Sequence, residues 1–131
     1  MRKIFMVTAV AASFATPVVA LEYLCSVRDI GNGFISQQVG IKFEPGARTA
    51  VVYDGIIHAV HAAPLEVRQK DRGNGKYRFT YQLNNIPANP TPADINYRIE
   101  LDTKTNALTM RGLIPGVLNM IAGKGQCQKT G

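Results

Sequence analysis

Short runs in which apolar and polar residues alternate extend along most of this chain, and this period of two is the feature that most constrains its fold. The clearest runs cover 21–28, 38–43, 65–70, 77–83 and 95–101. Because successive side chains of a β-strand point to opposite faces, such alternation is typical of strands with one buried face. No long segment has the helical period of about 3.6 residues. The chain is therefore predicted to be all-β.

Turn sequences containing Gly, Pro or Asn separate the runs. They are predicted at 31–33, 44–46, 72–75, 102–106 and 114–116. Turns spaced about 8–12 residues apart are typical of antiparallel sandwiches and small barrels. The pattern predicts roughly eight short strands, and we favour a small antiparallel up-and-down barrel over an open sandwich because closure removes exposed strand edges.

Three further segments have distinct signatures. Asp54-Gly55 separates two β-rich runs and predicts a two-residue hairpin, because that turn needs positive φ at both central positions. The segment 84–94 contains three prolines, which lack the N–H that a β-ladder uses. It is predicted to be an extended surface loop. Gly123 and Gly125 in the last predicted strand indicate a bend, a bulge or a close backbone approach.

The chain has two cysteines, Cys25 and Cys127, one near each end of the strand-rich region. In an oxidising compartment an isolated pair most often forms a disulfide, and a reactive or metal-binding thiol is the alternative. Neither cysteine lies in a C-x-x-C motif or beside a histidine, which favours the disulfide. The bond would bring the first and last strands together, as closure of an up-and-down barrel requires.

The first 20 residues have the layout of a secretory signal peptide. Two basic residues precede an uncharged apolar stretch at 4–15, and Ala20 ends a site of small residues. The stretch is shorter than the about 20 apolar residues that a membrane span needs. A buried N-terminal helix is the alternative, but Pro17 disfavours it. We therefore predict a signal peptide at 1–20, one periplasmic or secreted domain at 21–131 and no membrane span.

Removal of the signal would take away Arg2 and Lys3 and no acidic residue, so the formal net charge of +6 would fall to +4. This balance favours an anionic surface, such as phosphorylated glycolipid, lipid head groups or acidic polymers. It is too dispersed to indicate nucleic-acid binding. The nearest approach to a cluster consists of Arg68, Lys70, Arg72, Lys76 and Arg78. This cluster is either a ligand contact or the solvated end of a hairpin.

Tyr77, Phe79 and Tyr81 lie on one face of the best amphipathic strand. They are candidate contacts for a small amphipathic ligand, since a barrel of about eight strands can enclose one. A filled core is the alternative. The loop 84–94 is a further candidate binding surface, because binding residues concentrate on loops that a rigid scaffold holds, and an inert connector is its alternative.

Motifs that carry chemistry are few. His58 and His61 are candidate metal ligands, but residues three apart on a strand face opposite sides, which disfavours a shared site. The chain has no nucleophile-elbow sequence and no informative pair of carboxylates. No catalytic residue is assigned, no metal site is predicted and no cofactor is predicted.

The segments Leu-Glu-Tyr-Leu-Cys at 21–25, Asp-Gly-Ile-Ile at 54–57 and Gly-Lys-Gly-Gln-Cys at 123–127 resemble an uncharacterised group of small secreted bacterial β-proteins. That resemblance implies no activity. Tyr23 and Cys25, with a late cysteine, are also similar to the termini of periplasmic lysozyme inhibitors. The inhibitors' Ser-Gly loop pattern is not found, so no inhibitory residue is transferred. A net-positive protein is also poorly suited to attract a cationic lysozyme.

Together these patterns predict a non-enzymatic periplasmic or secreted binding protein. It would contact an envelope component or a protein partner through loop 84–94 and the basic hairpin 68–78, and charge reversal at Arg72 and Lys76 would weaken that contact. The alternatives are a lipocalin-like carrier of a small amphipathic ligand and a metal-binding protein that uses its histidines.

Overall fold

Eight antiparallel strands close into a barrel in the computed structural model, which describes residues 19–118 and 120–131. The strands are β1 (Leu21–Asp29), β2 (Gln38–Phe43), β3 (Thr49–Asp54), β4 (Leu65–Gly73), β5 (Lys76–Ile86), β6 (Ala93–Asp102), β7 (Ala107–Leu113) and β8 (Ile121–Lys129). Each strand pairs with its neighbours in sequence, and β8 pairs with β1, which confirms the up-and-down barrel. Most of the predicted signal peptide, residues 1–18, lies outside the described residues.

A disulfide joins the two strands that close the barrel. Cys25 and Cys127 are bonded and lie opposite each other in the ladder between β1 and β8, so the predicted pairing is confirmed. Both side chains are buried, and the bond links positions 102 residues apart. A disulfide of this kind fits a compartment more oxidising than the cytosol.

Inward-facing side chains fill the barrel with an apolar core. On β3, for example, Ala50, Val52 and Asp54 are buried while the residues between them are exposed. The ring centroid of Phe43 lies 4.7 Å from that of Tyr77 and 5.3 Å from that of Phe79. The predicted aromatic face of β5 therefore contributes Tyr77 and Phe79 to a packed aromatic cluster inside the barrel.

The hairpin predicted at Asp54-Gly55 is wrong, because Asp54 caps a helix instead. The Asp54 carboxylate accepts a hydrogen bond of 2.8 Å from the Ile57 N–H, and helix α1 (Gly55–His61) follows. The helix packs on β5 and β3 and buries Ile57 completely. Burial of such a side chain stabilises a fold by about 1.5–3 kcal/mol, which outweighs the local turn preference of Asp-Gly. Among the described residues, no helix is long and apolar enough to cross a membrane.

The proline-rich loop is shorter than the sequence predicts. β5 continues to Ile86 and β6 begins at Ala93, so the loop covers 87–92 rather than 84–94. Asn85 adopts a positive φ of 59°, and its N–H donates a 2.8 Å hydrogen bond to the Asp94 carboxylate. These contacts let the two strands continue past a shift in their register.

Alternation of strand direction gives the barrel two ends. The connections at 30–37, 55–64, 87–92 and 114–118, with Met120, lie at one end, here called the upper end. The connections at 44–48, 74–75 and 103–106, with the start of β1 and the end of β8, lie at the lower end. The turns predicted at 44–46, 72–75 and 102–106 are confirmed at the lower end.

The helix cap can be tested at Asp54. Asp54→Ala is expected to lower the free energy of unfolding by about 1–2 kcal/mol, since the Ile57 N–H loses its acceptor. Asp54→Asn keeps an oxygen acceptor, so it should retain the cap. Urea unfolding of both variants beside the wild type measures the difference, and equal losses for alanine and asparagine would contradict a capping role.

The same variants should differ in their response to pH. Burial raises the pKa of Asp54, although hydrogen bonds from the N–H groups of Ile57 and Ile56 and with Ser36 oppose that rise. A raised pKa in the folded state means that protonation favours folding, and this contribution disappears as the pH rises through that pKa. Asp54→Asn does not titrate. Its stability relative to the wild type should therefore increase between about pH 4 and pH 7, and a constant difference would contradict the raised pKa.

Candidate anion-binding groove

A row of outward-facing side chains crosses the barrel wall from β3 to β8. In this row each residue is the cross-strand register partner of the next: Thr49, Arg68, Thr80, Arg98, Arg111 and Ala122. Arg98 and Arg111 lie directly opposite each other on β6 and β7. Like charges directly opposite in a sheet destabilise it, so this pair carries a cost that an anion would relieve.

The three arginines of the row lack acidic partners among the described residues. The ion pairs among the described residues are Lys42–Glu22 and Arg78–Glu100, and neither includes an arginine of the row. In the second pair the Nε–Oε1 distance is 2.6 Å. Glu100 is thus engaged by Arg78 and does not neutralise the row. A guanidinium group presents a planar set of donors that matches carboxylate and phosphate oxygens. The row therefore offers a charge and a geometry that suit an anionic group.

The arginine row lies in a groove of about 1010 Å³ on the outer wall of the barrel. Its polar lining includes Arg68, Arg98, Arg111, Thr49, Thr80, Gln82, Asn96 and Glu66. Its apolar lining includes Leu65, Leu113, Met120 and Ile121. Glu66 is the acidic side chain of this lining, so the groove has an excess of positive charge. The combination suits an amphipathic molecule with an anionic end.

One side of the groove lies where β4 and β5 part. Their ladder begins at Arg68 and Thr80, although β4 starts at Leu65 and β5 continues to Ile86. Tyr81 borders the groove there and stacks on Tyr97, with ring centroids 5.2 Å apart. The Tyr97 hydroxyl donates a 2.8 Å hydrogen bond to the Phe34 carbonyl, whereas the buried Tyr81 hydroxyl has no partner in the part of the chain that the structure describes.

Both tyrosine side chains are held in the neutral form. Burial raises the pKa of Tyr81 well above its ordinary value, and the nearby Asp54 and Tyr97 add to the rise. Burial and Asp54 also raise the pKa of Tyr97. Their hydroxyl groups therefore stay protonated at neutral pH.

The basic cluster that the sequence singles out lies on the β4–β5 hairpin. Arg68, Lys70 and Arg78 lie on the outer faces of β4 and β5, and of these three Arg68 lines the groove. Arg72 and Lys76 are exposed beside the β4–β5 turn at the lower end. The cluster therefore follows the β4–β5 hairpin, with Lys70 the register partner of Arg78 and Arg68 at its groove end.

The two histidines lie on α1, so the strand geometry by which they were predicted to face opposite sides is wrong. Residues three apart on a helix are surface neighbours rather than on opposite faces. His58 Nδ1 is hydrogen-bonded to the Tyr53 hydroxyl, and His61 is exposed in the last turn. Within 19–118 and 120–131, no group of three His, Cys, Asp or Glu side chains is arranged to hold a metal ion.

Sequence reasoning missed Arg98 and Arg111, which belong to strands outside the predicted basic hairpin. A signal was available. Asp102 and Ala107 flank the predicted turn and are register partners, and counting four residues outward along each strand brings Arg98 opposite Arg111. Their placement in one row with Arg68 required the order and register of the strands around the barrel.

No protein-family model, curated protein or solved structure matches this chain. The resemblances at the termini therefore rest on short sequence motifs alone.

Proposed function

We propose that this chain is a non-enzymatic binding protein of the periplasm or the extracellular space, and that it holds an anionic group of an envelope component in the groove. The observation that carries the proposal is the arginine row. Arg98 and Arg111 face each other without an acidic partner among the described residues, and Arg68 lies in the same row.

Phosphate is the anion that best suits this row. Its oxygens can accept hydrogen bonds from several guanidinium groups at once, and each charge-assisted bond contributes about 1.5–3 kcal/mol. Thr80, which lies between Arg68 and Arg98, adds a hydroxyl donor. The apolar lining leaves space for the uncharged part of a larger ligand. A phosphorylated lipid or glycolipid combines these features.

Binding of inorganic pyrophosphate, measured by calorimetry at low ionic strength, tests the groove. Arg98→Glu combined with Arg111→Glu is expected to weaken binding at least tenfold, because two donors are lost and two negative charges are introduced. The affinity of the wild type should fall with added salt, since exposed charges are screened.

Arg72→Glu combined with Lys76→Glu is the matched control, because it changes the net charge equally at the lower end. This pair also tests the predicted hairpin contact. Weaker binding with this pair but not with the groove pair would transfer the site to the hairpin. Absence of pyrophosphate binding to the wild type would overturn the groove proposal.

The packing inside the barrel does not favour the alternative of a lipocalin-like carrier that encloses its ligand. The lower half is occupied by the packed rings of Tyr23, Phe43, Tyr77 and Phe79. Two interior aromatic residues, the partly exposed Tyr81 and the buried Tyr97, border the groove. An amphipathic ligand would therefore lie along the wall rather than in a central cavity.

A further inference from the structure

The upper end of the barrel carries exposed aliphatic side chains on two neighbouring connections. This apolar tip consists of Ile30, Leu113, Val117, Leu118 and Met120. Leu118 is fully exposed, with a relative accessibility of 106%. Exposed apolar side chains grouped in one place mark an interaction site more often than isolated ones do.

The tip is held by regular backbone contacts. The Val117 N–H donates a 3.1 Å hydrogen bond to the Ile114 carbonyl across Pro115 and Gly116, and Gly116 has the positive φ of 80° that this turn requires. The Ile30 N–H donates to the Ala122 carbonyl at 2.9 Å, which ties the β1–β2 connection to β8. Val117 and Ile30 are therefore held by backbone hydrogen bonds at the upper end.

The upper end is also free of permanent charge in its connections. The four upper connections contain no Asp, Glu, Lys or Arg, and His58 and His61 are their titratable side chains. The lower connections, in contrast, contain Glu44, Arg48 and Lys104. Because charged groups are costly to remove from water, desolvation of the upper connections costs less free energy than desolvation of the lower ones.

Three carboxylates at upper strand ends are engaged locally. Asp29 accepts a hydrogen bond from the Gly31 N–H, Asp54 caps α1, and Asp94 accepts from the Asn85 N–H, each at 2.8 Å. These contacts draw the carboxylates toward the backbone of the barrel.

The arginine row lies just below the apolar tip. Arg111 and Leu113 are two residues apart on the outer face of β7, a separation of about 5–7 Å toward the upper end once strand tilt is included. Leu113 and Met120 line the same groove as Arg98 and Arg111. Apolar side chains thus lie outermost and cationic side chains one layer behind them.

From this layering we infer that the upper end docks on an anionic phospholipid bilayer. The apolar tip enters the boundary between head groups and acyl chains, and Arg68, Arg98 and Arg111 contact the lipid phosphates. Interfacial proteins insert apolar groups to about 5–10 Å, which matches the separation between tip and row. Basic side chains near an anionic surface are attracted to its head groups. The inference rests on the proposed anion-binding groove and names lipid head groups as its ligand.

A tryptophan placed at the tip gives a direct readout, because the chain contains no Trp. Leu118→Trp should show a blue-shifted emission on vesicles of mixed phosphatidylglycerol and phosphatidylcholine, and brominated lipid should quench it. Leu24→Trp is the control, since Leu24 is an exposed leucine on the outer face of β1, away from the upper end. Its emission should not change.

Cosedimentation with the same vesicles measures affinity. Leu118→Asp is expected to reduce binding at least tenfold, whereas Leu24→Asp, which introduces the same charge elsewhere, should leave it within twofold. Arg98→Glu with Arg111→Glu should also reduce binding at least tenfold and remove its dependence on phosphatidylglycerol. All variants share one N-terminus, so any contribution from residues 1–20 is common to them.

Several results would overturn docking. Equal losses for Leu118→Asp and Leu24→Asp would show that only net charge matters. A dimer in sedimentation velocity that Leu118→Asp dissociates would assign the tip to a second copy of this chain. Pyrophosphate binding that depends on Arg98 and Arg111, without any binding to anionic vesicles, would preserve the proposed function and refute bilayer docking.

Discussion

Replacement of Cys25 and Cys127 together by alanine is expected to lower the free energy of unfolding by about 4–5 kcal/mol. The bond joins residues 102 positions apart, so its loss releases nearly the whole barrel sequence in the unfolded state. In the chain-entropy model, a disulfide removes conformational entropy from the unfolded chain, and the amount grows with loop length, so a loop of about 100 residues gives a large effect. A loss of that size is a large share of a typical stability of about 5–15 kcal/mol.

Urea unfolding with and without reductant measures the effect. The variant should keep the far-ultraviolet dichroism of the wild type, because the ladder between β1 and β8 retains its other register partners. Fully reduced wild type should approach the variant in stability. An unchanged unfolding midpoint for the double alanine variant would contradict the entropic role of the bond.

Gly125→Ala is expected to destabilise the barrel by more than about 3 kcal/mol. A Cβ atom at this position would lie 2.3 Å from the Ser26 carbonyl oxygen and 3.2 Å from the Val27 Cα. Those atoms belong to the backbone of β1, so they cannot rotate away. Relief would require the closing ladder between β1 and β8 to separate, and this ladder carries the disulfide.

Gly40→Ala is the matched control, because it is also a strand glycine. A Cβ there would meet its nearest neighbour, the Tyr53 carbonyl oxygen, at 3.7 Å, which is an ordinary contact. Alanine in a strand is favoured over glycine by about 0.5–1 kcal/mol, so this variant should match or exceed the wild type in thermal stability. Similar behaviour of the two variants would show that the close approach at Gly125 does not govern closure.

The features that sequence reasoning predicted correctly are governed by neighbouring residues. Alternation in 21–28 and 95–101 decides which face of each strand is buried, and Gly-Asn-Gly at 73–75 supplies the positive φ values of a tight turn. The pairing of Cys25 with Cys127 followed from there being two cysteines. Of the three alternatives predicted at Gly125, a bend, a bulge or a close backbone approach, the structure shows the close approach to β1.

The errors arose where distant packing outweighs a local preference. Asp54-Gly55 is a good hairpin sequence, but Ile57 gains more from burial against β5 in a helix than a tight turn offers. The loop predicted at 84–94 is too long because the Asn85–Asp94 contact extends both strands. That contact joins residues nine positions apart, so local sequence does not indicate it.

By itself the sequence determined the strands, most of their turns and the disulfide. The alternation of apolar and polar residues and the turn residues act over a few neighbouring positions, and two cysteines allow one pairing. The tertiary structure alone decided the candidate site. Closure of the barrel places Arg68, Arg98 and Arg111 from three strands in one row and sets the apolar tip above them. Such a surface depends on strand order and register, and these are set by the burial of the opposite faces rather than by the arginines.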